Sequence, residues 1–203
     1  MALDFEGLRK HKMEDLTASK KASAVLIPLV KDERDETGFS VLFEVRAEGI
    51  GQAGEICFPG GRIEEDEAGE EAAIRETSEE LLIEPDTIEL LAPIAEQMGP
   101  KNRKVKSYVG ILHNYKMTYS EDEVARVFTL PLSWLMKYEP ISAKTTYSVD
   151  ESDDFPYELI PGGRSYPFSK RERTFWFYKT SEGTIWGITA EALREFLRIV
   201  VKL

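Results

Sequence analysis

Three glutamates near the middle of the chain, Glu76, Glu79 and Glu80, have the type and spacing to bind a cation if they lie on a helix. At about 100° per residue, with Glu76 at zero, Glu80 falls at roughly +40° and Glu79 at roughly −60°, so the three carboxylates share one face. Ala73, Thr77 and Leu81 occupy the adjoining stripe and would anchor that face to a core. Each like-charge pair at i,i+3 or i,i+4 costs an isolated helix about 0.2–0.5 kcal/mol, a repulsion that a divalent cation reverses. Oxygen-only donors suit Mg²⁺ or Mn²⁺ rather than zinc. Runs of Glu on a helix ordinarily form a solvated face. What sets this run apart is its lead-in, Gly60-Gly61, followed by Glu67 and then Arg75 immediately before Glu76.

These residues need a helix, a tight turn and a sheet to hold them. Residues 68–82 contain no Pro and only Gly69, and their apolar positions fall mainly on one side, which predicts a helix. Gly49, Gly51, Gly54, Pro59, Gly60 and Gly61 crowd the preceding stretch and predict a loop over 49–61. Before it, the apolar run 22–30 and the segment 39–46 read as two strands of a hairpin, with Gly38 in the turn. Further strands are expected over 87–96, 107–113, 123–132 and 174–180, and a closing amphipathic helix over 189–200. A basic loop, 99–106, separates two of these strands, and residues 140–170 read as irregular. Strands and helices interleave, which predicts an α/β class, with residues 1–21 as an arm or short helix and 22–203 as a single domain.

Composition narrows the chemistry further. The 203 residues carry 26 Lys and Arg against 37 Asp and Glu, a net charge of −11. Nine acids and one arginine fall between Glu64 and Glu80, a local charge of −8. Such acidity argues against nucleic acid or an anionic membrane as partner, and an anionic ligand would need a screening cation. The N-terminal residues show no basic region followed by an apolar run, and no segment approaches the roughly 18 apolar residues of a membrane span, so a cytoplasmic protein is expected. Cys57 is the single cysteine, which excludes an intramolecular disulfide and a multi-cysteine metal site. It reads as a small hydrophobe rather than a nucleophile.

Gly61, five residues, Glu67, seven residues, then Arg75-Glu76-x-x-Glu79-Glu80 resembles the signature box of the Nudix hydrolases. The resemblance implies an α/β/α sandwich with a mixed sheet and cleavage of a nucleoside diphosphate linked to another moiety. It implies that Glu76, Glu79 and Glu80 bind Mg²⁺ or Mn²⁺ with the Gly60 carbonyl, and that Arg75 and Glu67 orient them by ion pairing. Two positions depart from the pattern: Thr77, where an apolar residue is usual, and Leu82, where a glycine usually ends the helix in a left-handed turn. Leu82 leads to the expectation that the helix runs on or that the following loop is rebuilt.

The segments Val41-Leu42-Phe43, Gly54-x-x-x-Phe58-Pro59-Gly60-Gly61 and Trp186-Gly187-Ile188-Thr189-Ala190 resemble the coenzyme A pyrophosphatase branch of that family. That branch carries arginines where this chain has Ile50 and Val45, the nearest here being Arg46. The resemblance implies coenzyme A as substrate, 4′-phosphopantetheine and adenosine 3′,5′-bisphosphate as products, and a homodimer as a common assembly. Arg46, Phe58, Gly60 and Gly61 are the candidate substrate contacts, Glu79 the first candidate for orienting or deprotonating water, and Glu123 the second. Trp186 is read equally as a core indole or a substrate contact. ADP-ribose or another nucleoside diphosphate derivative is the alternative substrate, and a non-catalytic nucleotide-binding module is the third reading.

Overall fold

The structure, a computed structural model, describes residues 22–99, 103–147, 155–168 and 171–202, except the side chains of Tyr147 and Arg171. The expected arm over 1–21, Lys101, the acids at Asp150, Glu151, Asp153 and Asp154, and Lys170 lie outside these residues. In chain order the strands are β1 (Ala22–Lys31), β2 (Phe39–Arg46), β3 (Ile56–Cys57) and β4 (Gly60–Arg62), then helix α1 (Gly69–Leu81). β5 (Ile88–Met98), β6 (Lys104–Leu112), β7 (Val124–Pro131) and the short helix α2 (Leu132–Lys137) follow. β8 (Ile141–Tyr147), β9 (Arg171–Thr180), β10 (Gly183–Ile185) and helix α3 (Gly187–Val200) complete the chain.

β1 is apolar on both faces, as a strand covered on both sides must be. It runs parallel to β6 and antiparallel to β2 and β4, in a mixed sheet ordered β3-β2-β1-β6-β5, with β7 paired to β2. Alternation then assigns the side chains to two layers. Ala24, Leu26 and Leu42 point to α1 and pack with Ala72, Ala73 and Leu81. Ile27, Leu29, Val41 and Phe43 point the other way and pack with Leu193, Phe196 and Leu197 of α3. The result is the expected α/β/α arrangement. A separate sheet, β10-β9-β8, carries the chain into α3. Among the described residues no helix is long and apolar enough to cross a membrane.

Several expectations change. The 49–61 stretch is not loop throughout: β3 pairs with β2 and β4 with β1, so its last residues are locked into the sheet. β6 begins at Lys104, taking in the last three residues of the basic loop, because Lys104 and Val105 pair with Ala22 and Ser23. Residues 141–147, expected to be irregular, form β8 because β9 supplies a full antiparallel partner.

The helix does not run past Leu81. Leu82 itself takes the left-handed conformation, φ 52° and ψ 51°, although it is not glycine. Its cost is met by satisfying the helix's last carbonyls: Ile83 N donates to Ser78 O at 3.1 Å, Ser120 N to Glu80 O at 2.8 Å and Thr118 Oγ1 to Leu81 O at 2.6 Å. Thr77 takes the apolar position as expected, fully buried, but its hydroxyl finds no partner among the described residues.

Candidate active site

Glu71 reaches back to the N–H of Ala68 at 3.0 Å and fixes the start of α1, so the helix face carrying the glutamates is set in phase with the glycine turn before it. Arg75 ties this face together. Its guanidinium donates to both oxygens of Glu67 at 2.8 and 3.1 Å, to Glu76 at 2.9 Å, to Glu79 at 3.4 Å and to the Arg62 carbonyl at 3.0 Å. Glu67 also accepts from Glu64 N at 2.9 Å. Arg75 and Glu64 together hold the Glu67 carboxyl below its usual range. The Arg75 guanidinium is stabilised in its charged form by Glu67 and Glu76 against the opposing effect of burial. Glu67, Arg75, Glu76 and Glu79 are thus brought together as one ion-paired string.

Glu80 stands outside this string, on the glycine turn. It is 4% exposed and accepts a 2.7 Å hydrogen bond from Gly60 N. Gly61 lies directly against the Glu76 carboxylate, where an added Cβ would collide with it. The two glycines therefore act as a template for two of the three glutamates. Burial pushes the Glu76 and Glu80 carboxyls up, Glu80 further because Glu44 and Glu123 lie nearby. Glu123, exposed in the turn before β7, also faces Glu76 and Glu44.

Glu44 was not among the residues expected from the sequence. It projects from β2 on the α1 side, 1% exposed, and accepts from the Cys57 thiol, 3.1 Å away across the β2–β3 pair. Its other oxygen, Oε2, has no hydrogen-bond partner among the described residues. Burial pushes this carboxyl well above its usual range. Arg46 is the neighbouring positive charge, facing Cys57, Glu44 and Glu80 while its Nε donates to Gly51 O at 2.9 Å. Cys57 is partly buried, and burial together with Glu44 pushes its thiol up, so it is no thiolate nucleophile.

The donors gathered here are carboxylate oxygens, and one of them is buried without a partner; this set fits a hard divalent cation. Among the described residues no three acid, Cys or His side chains already converge on one point. The Glu79 side chain is exposed and tied to Arg75.

Beside the carboxylates lies a cleft of about 1160 Å³. Arg46, Cys57, Gly60 and Gly61 form the wall shared with the glutamates, which themselves lie outside it. The opposite wall comes from β9 and the start of α3, with Arg173, Phe175, Trp186 and Ile188, and Arg62 and Arg103 also line it. Trp186 is 41% exposed and lies parallel to Phe177, 6.5 Å between centroids, so the reading of it as a core indole is corrected. Its position at the N-cap of α3, beyond the last paired strand residue, turns it outward. Phe58 is buried, stacked 5.0 Å from Phe43, and meets the cleft only as part of its floor. Of the other aromatics, Trp176 packs against the core under Arg194, while Tyr166 and Phe168 pack on each other.

The NUDIX domain family model matches residues 20–149, which hold β1 through β8 and all the box residues. Nudix hydrolase 3 of Caenorhabditis elegans is 31% identical over 191 residues, 90% of this chain and 74% of that protein. The Nudix hydrolase NudL of Salmonella dublin is 30% identical over 202 residues, 96% of this chain and 91% of that one. A MutT/nudix family protein from Enterococcus faecalis shares the fold at a TM-score of 0.51 and 14% identity, over 97% of this chain and 68% of that chain. With its glycine turn, its glutamate helix and a family match across most of its length, this chain belongs to the Nudix family of hydrolases, enzymes that act on pyrophosphate bonds.

Proposed function

We propose that the chain is a divalent-metal-dependent pyrophosphohydrolase that cleaves the diphosphate of coenzyme A or its derivatives into 4′-phosphopantetheine and adenosine 3′,5′-bisphosphate. The observation that supports this reading is the cleft, which meets the glutamate helix at Gly60 and Gly61 and is lined by Arg46, Arg62 and Arg103, with Arg173 ion-paired to Glu191 and with Glu55 and Glu172 at its edge. A nucleotide with phosphates at more than one place needs cationic groups at more than one place. Trp186 and Phe175 add apolar surface on which a base can stack.

Glu76, Glu79 and Glu80, with the Gly60 carbonyl, would hold Mg²⁺ or Mn²⁺; when bound, such an ion neutralises the diphosphate and lowers the pKa of a coordinated water. Arg75 and Glu67 hold the glutamate face in position. Glu79, the most exposed of the three, would accept a proton from water at the open side, and Glu123 is the second candidate. Arg46, between the acids and the cleft, is placed to hold a phosphate oxygen.

The test is incubation with Mg²⁺ or Mn²⁺ and a panel of diphosphate compounds, with products identified by mass. Coenzyme A should be cleaved in preference to ADP-ribose. The reverse order would assign an ADP-ribose-type substrate, and binding without turnover would assign a nucleotide-binding module.

A further inference from the structure

The geometry points to Glu44 as a further metal-binding carboxylate, one that closes the strand side of the centre and pairs with Glu80 to hold a cation between β2 and α1. This inference rests on the metal-dependent reading of the site. Four observations carry it. Glu44 is 1% exposed and points to the α1 side of the sheet, where Glu80 is also buried. One Glu44 oxygen accepts the Cys57 thiol while Oε2 has nothing to accept from among the described residues. Glu80 uses Oε2 to accept the Gly60 N–H, which leaves Oε1 for a ligand. Glu123 faces the same pair from the turn before β7, and the only cation facing both Glu44 and Glu80 among the described residues is Arg46.

A buried carboxylate with a free oxygen costs several kcal/mol unless something positive meets it. Two such groups side by side call for more than one monovalent guanidinium, and a divalent ion supplies the missing charge. The alternative is a purely structural role, in which Glu44 supports the Cys57 side of β3 and never contacts the ion.

Mn²⁺ titration followed by the electron paramagnetic resonance of the free ion, combined with thermal unfolding, separates these roles. The Glu44→Gln variant keeps the volume and removes the charge. It should lose about one equivalent of bound Mn²⁺, or bind its ions roughly 10–100-fold more weakly. Its melting temperature in chelator should stay at or above that of the wild type, and the increment gained on adding Mn²⁺ should shrink. Unchanged Mn²⁺ stoichiometry and affinity, with a lower melting temperature in chelator, would overturn the inference in favour of the structural role. If Glu44→Gln does not fold, Glu44→Asp carries the test: its shortened reach should weaken Mn²⁺ binding, and wild-type binding would overturn the inference. A wild-type chain that takes up no Mn²⁺ overturns the metal-dependent reading itself, an outcome distinct from equal uptake by wild type and variant.

Discussion

Adjacent glycines in the turn before α1 should respond to the same substitution in opposite ways. At Gly60, φ is +146°, and an added Cβ would meet the Val25 Cα at 2.6 Å and overlap the Ala24 carbonyl, both of them backbone in the central strand. Neither can move without breaking the pairing of β4 with β1. Gly60→Ala should therefore destabilise the fold by about 2–4 kcal/mol, a fall of roughly 5–15 °C in melting temperature for a chain of this size. At Gly61 the nearest atoms all belong to the Glu76 carboxylate, the free end of a side chain. That carboxylate must retreat by roughly 1 Å to reach ordinary contact distance, which leaves the backbone alone. A ligand group misplaced by about that much costs on the order of 100-fold in rate, equivalent to about 2.7 kcal/mol of barrier. Gly61→Ala should lower kcat/KM for a diphosphate substrate by that factor while its unfolding midpoint in chelator stays within about 1 kcal/mol of wild type. The assay is steady-state hydrolysis with Mg²⁺ beside thermal unfolding in EDTA. Wild-type kcat/KM in Gly61→Ala would refute the placement of Glu76 at the chemistry, and equal destabilisation of both variants would refute the distinction between them.

Other perturbations give separate readings. Leu82→Gly relieves a left-handed residue that is 61% exposed and buries little, and should stabilise by about 0.5–1 kcal/mol in urea unfolding; Thr77→Val removes a buried hydroxyl without a partner and should add about 1 kcal/mol. Glu44, with its carboxyl pushed up to about 7, and Glu80, up to about 9, hold protons in the folded chain where the unfolded chain has released them. Their contribution to metal-free stability is therefore complete below the usual carboxylate range near pH 4.5 and is lost as pH rises through 7 to 9, read as the difference in urea midpoint in EDTA between the wild type and Glu44→Gln across that range. Saturating Mg²⁺ should flatten that decline, because the ion takes the place of the protons. Trp186→Ala removes an exposed ring at the cleft and should raise KM about 10-fold with a smaller change in kcat, read by steady-state kinetics.

What the sequence made legible is what local spacing controls. The glutamate face of α1, the hairpin of β1 and β2 and the closing helix follow from periods of 3.6 and 2, and the structure places them where those periods put them. Elements that exist only through a distant partner were not legible. β3 and β4 have two and three residues, too few to show a period. β8 reads ISAKTTY, with no apolar run, and forms because β9 pairs along its length. The stop of α1 at Leu81 was not legible because Thr118 and Ser120, far along the chain, take up the carbonyls of Leu81 and Glu80. Glu44 did leave a signal: it is an acid inside the apolar run VLFEV, the position where burial makes a carboxylate costly enough to need a reason. The outward turn of Trp186 depends on where β10 stops.

The wall of the cleft opposite the glutamates has a further consequence. The family match ends at residue 149, yet β9, β10 and α3 supply Arg173, Phe175 and Trp186 to the cleft. The same elements send Tyr178, Ile185, Leu193 and Phe196 into the core. This region is therefore no detachable appendage: each strand and helix in it has one side committed to holding the fold and one side free to vary. If the cleft holds the substrate, as proposed, altering only its β9- and α3-side residues should shift substrate preference while the glutamate helix behind Gly60 and Gly61 stays intact.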